Sequence, residues 1–345
     1  MNRFAISLII LALVTGCQMD ADELPIKQLI ADNLNFSAAQ YMAMADILPE
    51  GELPRTTDNE TGDLLTSDSD WWCSGFYPGS LWYLYEYTGK DEIMEAARRF
   101  TAIVEKEKYN KGTHDLGFML NNSFGHGLRL TGDESYKDIL ITGAHSLISR
   151  YNDTVGCIKS WDHGEWHFPV IIDNMMNLEY LFWAARETGD STYYNIAVTH
   201  TNTTIKNHFR DDFSTYHVVD YDPRTGESIA KKTHQGAFDE SAWARGQAWG
   251  LYGFTVVYRE TGDPVYLKYA TGIADFILNH PDLPEDMIPY WDFNAEEIPD
   301  AKRDASSGAI ICSALLELQG YVDDETAAIY MSAAEKILRS LASPA

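Results

Sequence analysis

Apolar positions along the chain fall into two kinds of segment that alternate. Stretches at about 75 to 88, 114 to 131, 173 to 188 and 243 to 261 are dense in Gly, Ala, Trp and other apolar residues, a composition that predicts helices buried on every side. The stretches that follow them are amphipathic. Asp91 to Lys108 carries one apolar stripe, Ile93, Ala97, Phe100 and Val104, with charges between, the pattern of an outer helix packed on one face. A short string recurs where the two kinds meet: Thr88-Gly89-Lys90-Asp91, Thr131-Gly132-Asp133, Thr188-Gly189-Asp190 and Thr261-Gly262-Asp263. Glycine just past a helix end takes the left-handed conformation and the Asp after it caps the next helix, so each copy reads as stop, tight turn, start between antiparallel neighbours.

An opening helix at about 24 to 48 and a last pair at about 305 to 319 and 323 to 342 bring the count to about eleven, in outer, inner, outer order. A closed toroid of six such pairs needs one more inner helix, so the chain, ending at Ser343-Pro344-Ala345, is expected to be truncated before it. An open arc of helical repeats has a similar period; the apolar inner set favours closure. One stretch departs from the helical pattern. His217 to Asp220 and Ser228 to Lys231, joined by Tyr221-Asp222-Pro223-Arg224-Thr225-Gly226, read as a small hairpin. The expectation is an all-α toroid with one β-hairpin insertion.

The chain has 345 residues, 45% hydrophobic and 23% charged, enough for a large core and not a disordered composition. Its 9 Trp, 20 Tyr and 14 Phe suit a large core or sugar stacking. A formal charge of −26 supplies no long-range attraction for nucleic acid or anionic lipid. Arg3 followed by the apolar run Phe4 to Val14 reads as an export signal, and Leu13 to Cys17 resembles the lipobox of bacterial lipoproteins. Residues 1–16 are therefore expected to be a signal peptide, Cys17 the lipidation site, residues 17–23 a linker, and 24–345 one domain. The mature protein is expected on a bacterial envelope membrane, facing the periplasm or, with Asp20, Asp22 and Glu23 beside the anchor, the cell surface. Cys73, Cys157 and Cys312 remain, without metal-ligand spacing, and read as small buried hydrophobes.

Candidate chemistry gathers at the starts of the inner segments: Trp71 to Phe76, His114-Asp115, Asp173-Asn174, Trp243-Ala244-Arg245 and Asp304 to Ser307. In an up-down toroid these starts share one face, where helix N-termini favour an anion such as a uronate carboxylate. Asp173, within Phe168 to Asn177, is a carboxylate in apolar sequence whose surroundings raise its pKa and suit it as a general acid. The plain alternative is helix capping, for Asp173 and Asp115 alike. Trp72, Trp161, Trp243 and Trp249 are candidate sugar platforms; Arg245, Gln235, His217 and His234 are candidate partners for hydroxyls or a carboxylate. Each is open to a structural role when taken singly.

The motifs Trp72 to Gly79, His114 to Met119, Ile171 to Asn177 and Trp243 to Gly250 resemble those of the unsaturated glucuronyl hydrolases, glycoside hydrolase family 88, in order and spacing, over about residues 24 to 345. The resemblance implies an (α/α)6 barrel with no metal or organic cofactor. It implies hydration of the 4,5-double bond of a terminal unsaturated uronate on oligosaccharides left by polysaccharide lyases. Asp173 would protonate carbon 4 and direct water to carbon 5, Asp115 would place substrate and tune its partner, and Trp72, His114, Trp161, His217, Gln235, Trp243, Arg245 and Trp249 would line the sugar pocket. Family members usually continue with a serine-containing loop and a last inner helix that touch the second sugar or its sulfate, which this chain is expected to lack.

Three other readings fit parts of the sequence. A related unsaturated rhamnogalacturonyl hydrolase shares fold and chemistry, though the four motifs fit it less well. A non-catalytic glycan-binding lipoprotein would also use helical repeats, an anchor and exposed Trp. A lyase would form the unsaturated bond rather than consume it.

Overall fold

A computed structural model describes residues 24–343 apart from residue 59, so the expected signal peptide, Cys17 and the linker lie outside the described residues. Among the described residues eleven α-helices follow one another: α1 (Ile26–Ile47), α2 (Phe76–Thr88), α3 (Asp91–Val104), α4 (His126–Thr131), α5 (Ser135–Ile148), α6 (Asn174–Thr188), α7 (Ser191–His208), α8 (Ala244–Thr261), α9 (Pro264–Leu278), α10 (Ala305–Leu318) and α11 (Asp324–Ala342). Helices α2, α4, α6, α8 and α10 form the inner layer, and neighbours among them pack side by side, while α11 meets α1 to close the outer layer. Arg339 of α11 also donates to the carbonyl of Leu24, 2.8 Å away. The toroid expected from the alternation is therefore present, with five inner helices among the described residues. Of those helices, none is long and apolar enough to cross a membrane.

The glycine turn of the repeated joint works as its chemistry dictates in all four copies, and the Asp takes the cap position of the next helix in two. Gly89, Gly132, Gly189 and Gly262 all take positive φ, from 64° to 71°. Each preceding Thr donates its hydroxyl to the carbonyl four residues back, 2.6 to 2.7 Å away, so the hydroxyl locks the last turn before the chain reverses. Asp190 and Asp263 then accept from the amides of Thr192 and Val265. Asp91 does not cap: the extra Lys90 takes the cap position and moves Asp91 into the first turn. On α3 the stripe Ile93, Ala97, Phe100 and Val104 is buried, as the period requires.

Three features depart from expectation. The second inner helix opens as a π-helix, Gly117–Gly125, before α4. Two further hairpins are present, β1 (Leu53–Thr57) with β2 (Leu64–Ser67) and β3 (Tyr151–Asn152) with β4 (Cys157–Ile158), so the hairpin read from the sequence is not the sole interruption. That hairpin, β6 (Val218–Tyr221) and β7 (Ser228–Lys232), is also not free-standing: β5 (Pro169–Ile171) pairs with β6 to make a three-stranded sheet. Strands this short carry too few alternating positions to announce themselves. Cys73 is half-buried rather than buried; Cys157 and Cys312 are buried, and all three are free thiols.

Candidate active site

Two glycines let the inner layer close around the site. A Cβ on Gly75 would stand 2.2 Å from the carbonyl oxygens of Phe118 and Met119, and one on Gly117 would meet the Asn177 side chain at 2.5 Å. Asn177 in turn accepts from the amide of Phe118 at 3.0 Å, satisfying a donor at the start of the π-helix. The stretch that carries His114 and Asp115 is thereby clamped against α6, which carries Asp173 at its N-cap.

Asp173 occupies the cap position, yet its side chain makes no capping hydrogen bond. The capping role proposed for this residue as its plain alternative is therefore unfilled. It is 8% exposed, and burial, reinforced by the charge of Asp115, pushes its pKa up to about 7, although its own backbone and Arg245 pull the other way. A group so placed still holds its proton in a large share of molecules at neutral pH, where an ordinary carboxyl has lost it. Asp115 is in a different setting: Thr113 donates to Oδ2 at 2.7 Å and His114 Nε2 lies 3.3 Å from Oδ1. Burial lowers the pKa of His114, which favours the neutral ring.

The β5–β6 pairing brings His217 to Asp173. The amide of Ile172 donates to the carbonyl of His217 at 3.1 Å, one residue before Asp173. His217 is 2% exposed, and burial, with the nearby Arg245 guanidinium adding to it, holds its pKa down at about 3. Its Nδ1 accepts from the amides of His234 and Gln235 at 3.1 and 3.2 Å. A neutral imidazole whose Nδ1 accepts must carry its proton on Nε2. That Nε2 lies 3.7 Å from Asp173 Oδ2.

These groups border a cavity of about 430 Å³. Of the residues expected at the site, Trp72, His114, Asp115, Trp161, Asp173, Gln235, Trp243 and Arg245 all line it, as does His234. Arg245 is held by Asp304 at 2.9 Å, and Asp304 also caps α10 through the amide of Ser307. His217 stands behind the wall, its ring 4.6 Å from that of Trp243. Trp249 lies behind Phe118, edge-on to it at 4.8 Å, and lines a second cavity of about 310 Å³ together with residues of the other inner helices. The structure adds Thr113, which orients Asp115, and Trp71, which lines the mouth. Trp71 was visible within the motif; nothing local marked Thr113.

A helical toroid whose mouth joins aromatic rings to one carboxyl of raised pKa and one hydrogen-bonded carboxyl has the build of a glycosidase. The model of Glycosyl Hydrolase Family 88 matches residues 50–261. An unsaturated glucuronyl hydrolase of Formosa agariphila is 50% identical over 277 residues, 79% of this chain and 68% of that protein. The crystal structure of an unsaturated glucuronyl hydrolase specific for heparin matches with a TM-score of 0.89 and 45% identity, covering 92% of this chain and 84% of that one. A variant of the Streptococcus agalactiae enzyme complexed with dGlcA-GalNAc6S matches with a TM-score of 0.77 and 30% identity, over 92% of this chain and 80% of that one. The chain belongs to glycoside hydrolase family 88, and its fold is the α/α barrel of that family.

Proposed function

We propose that the protein is an unsaturated glucuronyl hydrolase, acting on lyase-made glycosaminoglycan oligosaccharides by hydrating the 4,5-double bond of their terminal unsaturated glucuronate. The observation that carries this reading is Asp173: buried, its pKa raised by that burial to about 7, and with Oδ2 free of any hydrogen bond among the described residues. Its carboxyl gives a proton to carbon 4, and the carboxylate so formed takes one from the water that adds to carbon 5. The product is a hemiketal; it opens to a ketone, and the hemiacetal left at carbon 1 collapses to an aldehyde and releases the neighbouring sugar as an alcohol. Asp115 adds its like charge to the burial that raises the pKa of Asp173, and holds substrate. Arg245 faces the uronate carboxylate, and Trp72, Trp161 and Trp243 supply apolar walls for the ring. His217, with its pKa near 3 and its proton on Nε2, is a donor and not a base.

The test is loss of absorbance at about 230 nm, where the conjugated uronate absorbs, on incubation with unsaturated disaccharides. The wild type bleaches the signal, and Asp173→Asn abolishes turnover while keeping substrate binding; undiminished activity in that variant refutes the assignment. We further propose that the protein is held to an envelope membrane through Cys17, a reading supported by the apolar run before it. Cys17→Ala should move the protein from the membrane to the soluble fraction, and an unchanged distribution refutes the anchor.

A further inference from the structure

Every arginine among the described residues spends its guanidinium on a carboxylate, carbonyl or hydroxyl except one. Arg55, on β1, makes no hydrogen bond or ion pair there, although the chain holds twice as many acidic as basic side chains. Its guanidinium lies 3.8 Å from the ring centroid of Trp71. Trp71 lines the catalytic cavity, and the turn before it is pinned because Ser69 donates to buried Glu107 at 2.5 Å. The β1–β2 register shifts between Pro54 and Thr56, so the irregularity falls on Arg55 itself. Bulges beside active sites re-aim a side chain, and here the exposed Arg55 is held over the rim aromatic with its donors unspent.

Depth in the cavity says which part of a substrate Arg55 meets. The reacting ring must reach Asp173, which is buried at the base with His114 and His217, so the rest of the substrate points outward past the half-buried Trp71. We propose that Arg55 is a specificity-determining residue that binds a sulfo group on the sugar next to the unsaturated uronate. A planar guanidinium fixed by stacking presents paired N–H donors to a sulfo group with little loss of rotamer freedom. The inference rests on the hydration reading for the direction of the substrate, but its test does not require turnover.

Isothermal calorimetry of the Asp173→Asn variant with dGlcA-GalNAc6S and with unsulfated dGlcA-GalNAc reads binding alone. Adding Arg55→Ala is expected to weaken the sulfated disaccharide roughly tenfold and the unsulfated one less than twofold, and Arg55→Lys, which keeps charge but loses the planar fork, falls between. Equal losses for both disaccharides, no loss for either, or no binding to the parent variant would overturn the proposal. A wild type that turns over neither disaccharide, alongside the expected calorimetric pattern, would sink the hydration reading and leave Arg55 as the sulfo-group reader.

Discussion

His217 Nε2 and Asp173 Oδ2 face each other at 3.7 Å, both buried, and neither has a hydrogen-bond partner among the described residues. The separation is too long for a direct hydrogen bond, so a donor and a carboxyl oxygen are left aimed at one point. Buried polar atoms are rarely left unpaired, so two that face one point call for a shared partner. An incoming water or substrate hydroxyl can satisfy both.

Activity should fall as pH rises through about 7, where Asp173 loses the proton it must donate. Asp115 contributes to the raised value through its charge, so Asp115→Asn moves the descending limb of kcat/KM to lower pH, besides lowering the rate. A pH–rate profile measured by bleaching decides this; a limb at the same pH in both proteins refutes the coupling.

Stability should carry the mark of the same group, in the same direction. The unfolded carboxyl titrates near its ordinary value of 3.8 and the folded one near 7, so between those values folding takes up a proton and each unit of rising pH costs about 1.4 kcal/mol. By pH 8 the accumulated penalty is about 4 kcal/mol, and it is absent below pH 3.8. Asp173→Asn cannot ionise, so it should be more stable than wild type at pH 8 and close to it at pH 4. Denaturant unfolding at the two pH values reads the difference, and a gain that does not grow with pH contradicts it.

The two nitrogens of His217 have separable tasks. In His217→Asn the amide oxygen takes the place of Nδ1 and still accepts from His234 and Gln235, but nothing faces Asp173; kcat should drop about tenfold or more with stability kept within about 1 kcal/mol. His217→Gln keeps a donor toward Asp173 and strands the two amides, costing about 2 kcal/mol. Denaturant unfolding and kcat measured on both variants separate these effects, and identical behaviour in the two would show that the tautomer is irrelevant.

Gly75→Ala tests how the mouth is framed. Its Cβ would press on two backbone oxygens of the π-helix, which cannot rotate away as a side chain would. A loss of about 3 kcal/mol or more is expected in chemical denaturation. A variant as stable as wild type would show that the π-helix yields.

The helices, their alternation in two layers and the Thr-Gly joints were legible in the chain because each depends on neighbours a few residues away: an apolar stripe, a left-handed glycine, a hydroxyl returning to its own turn. The apolar setting of Asp173 was legible for the same reason, since Val170 to Ile172 and Met175 to Met176 surround it in sequence as in space. Sequence could not decide between a cap and an acid, because that turns on where the carboxyl points. What bears on it is tertiary: the cap bond Asp173 does not make and the β5–β6 pairing that brings His217 alongside. Tertiary structure alone placed Trp249 behind Phe118, Thr113 on Asp115 and Arg55 over Trp71. Those relations join residues far apart in the chain, and short strands, a π-helix and a bulge leave almost no periodic trace of themselves.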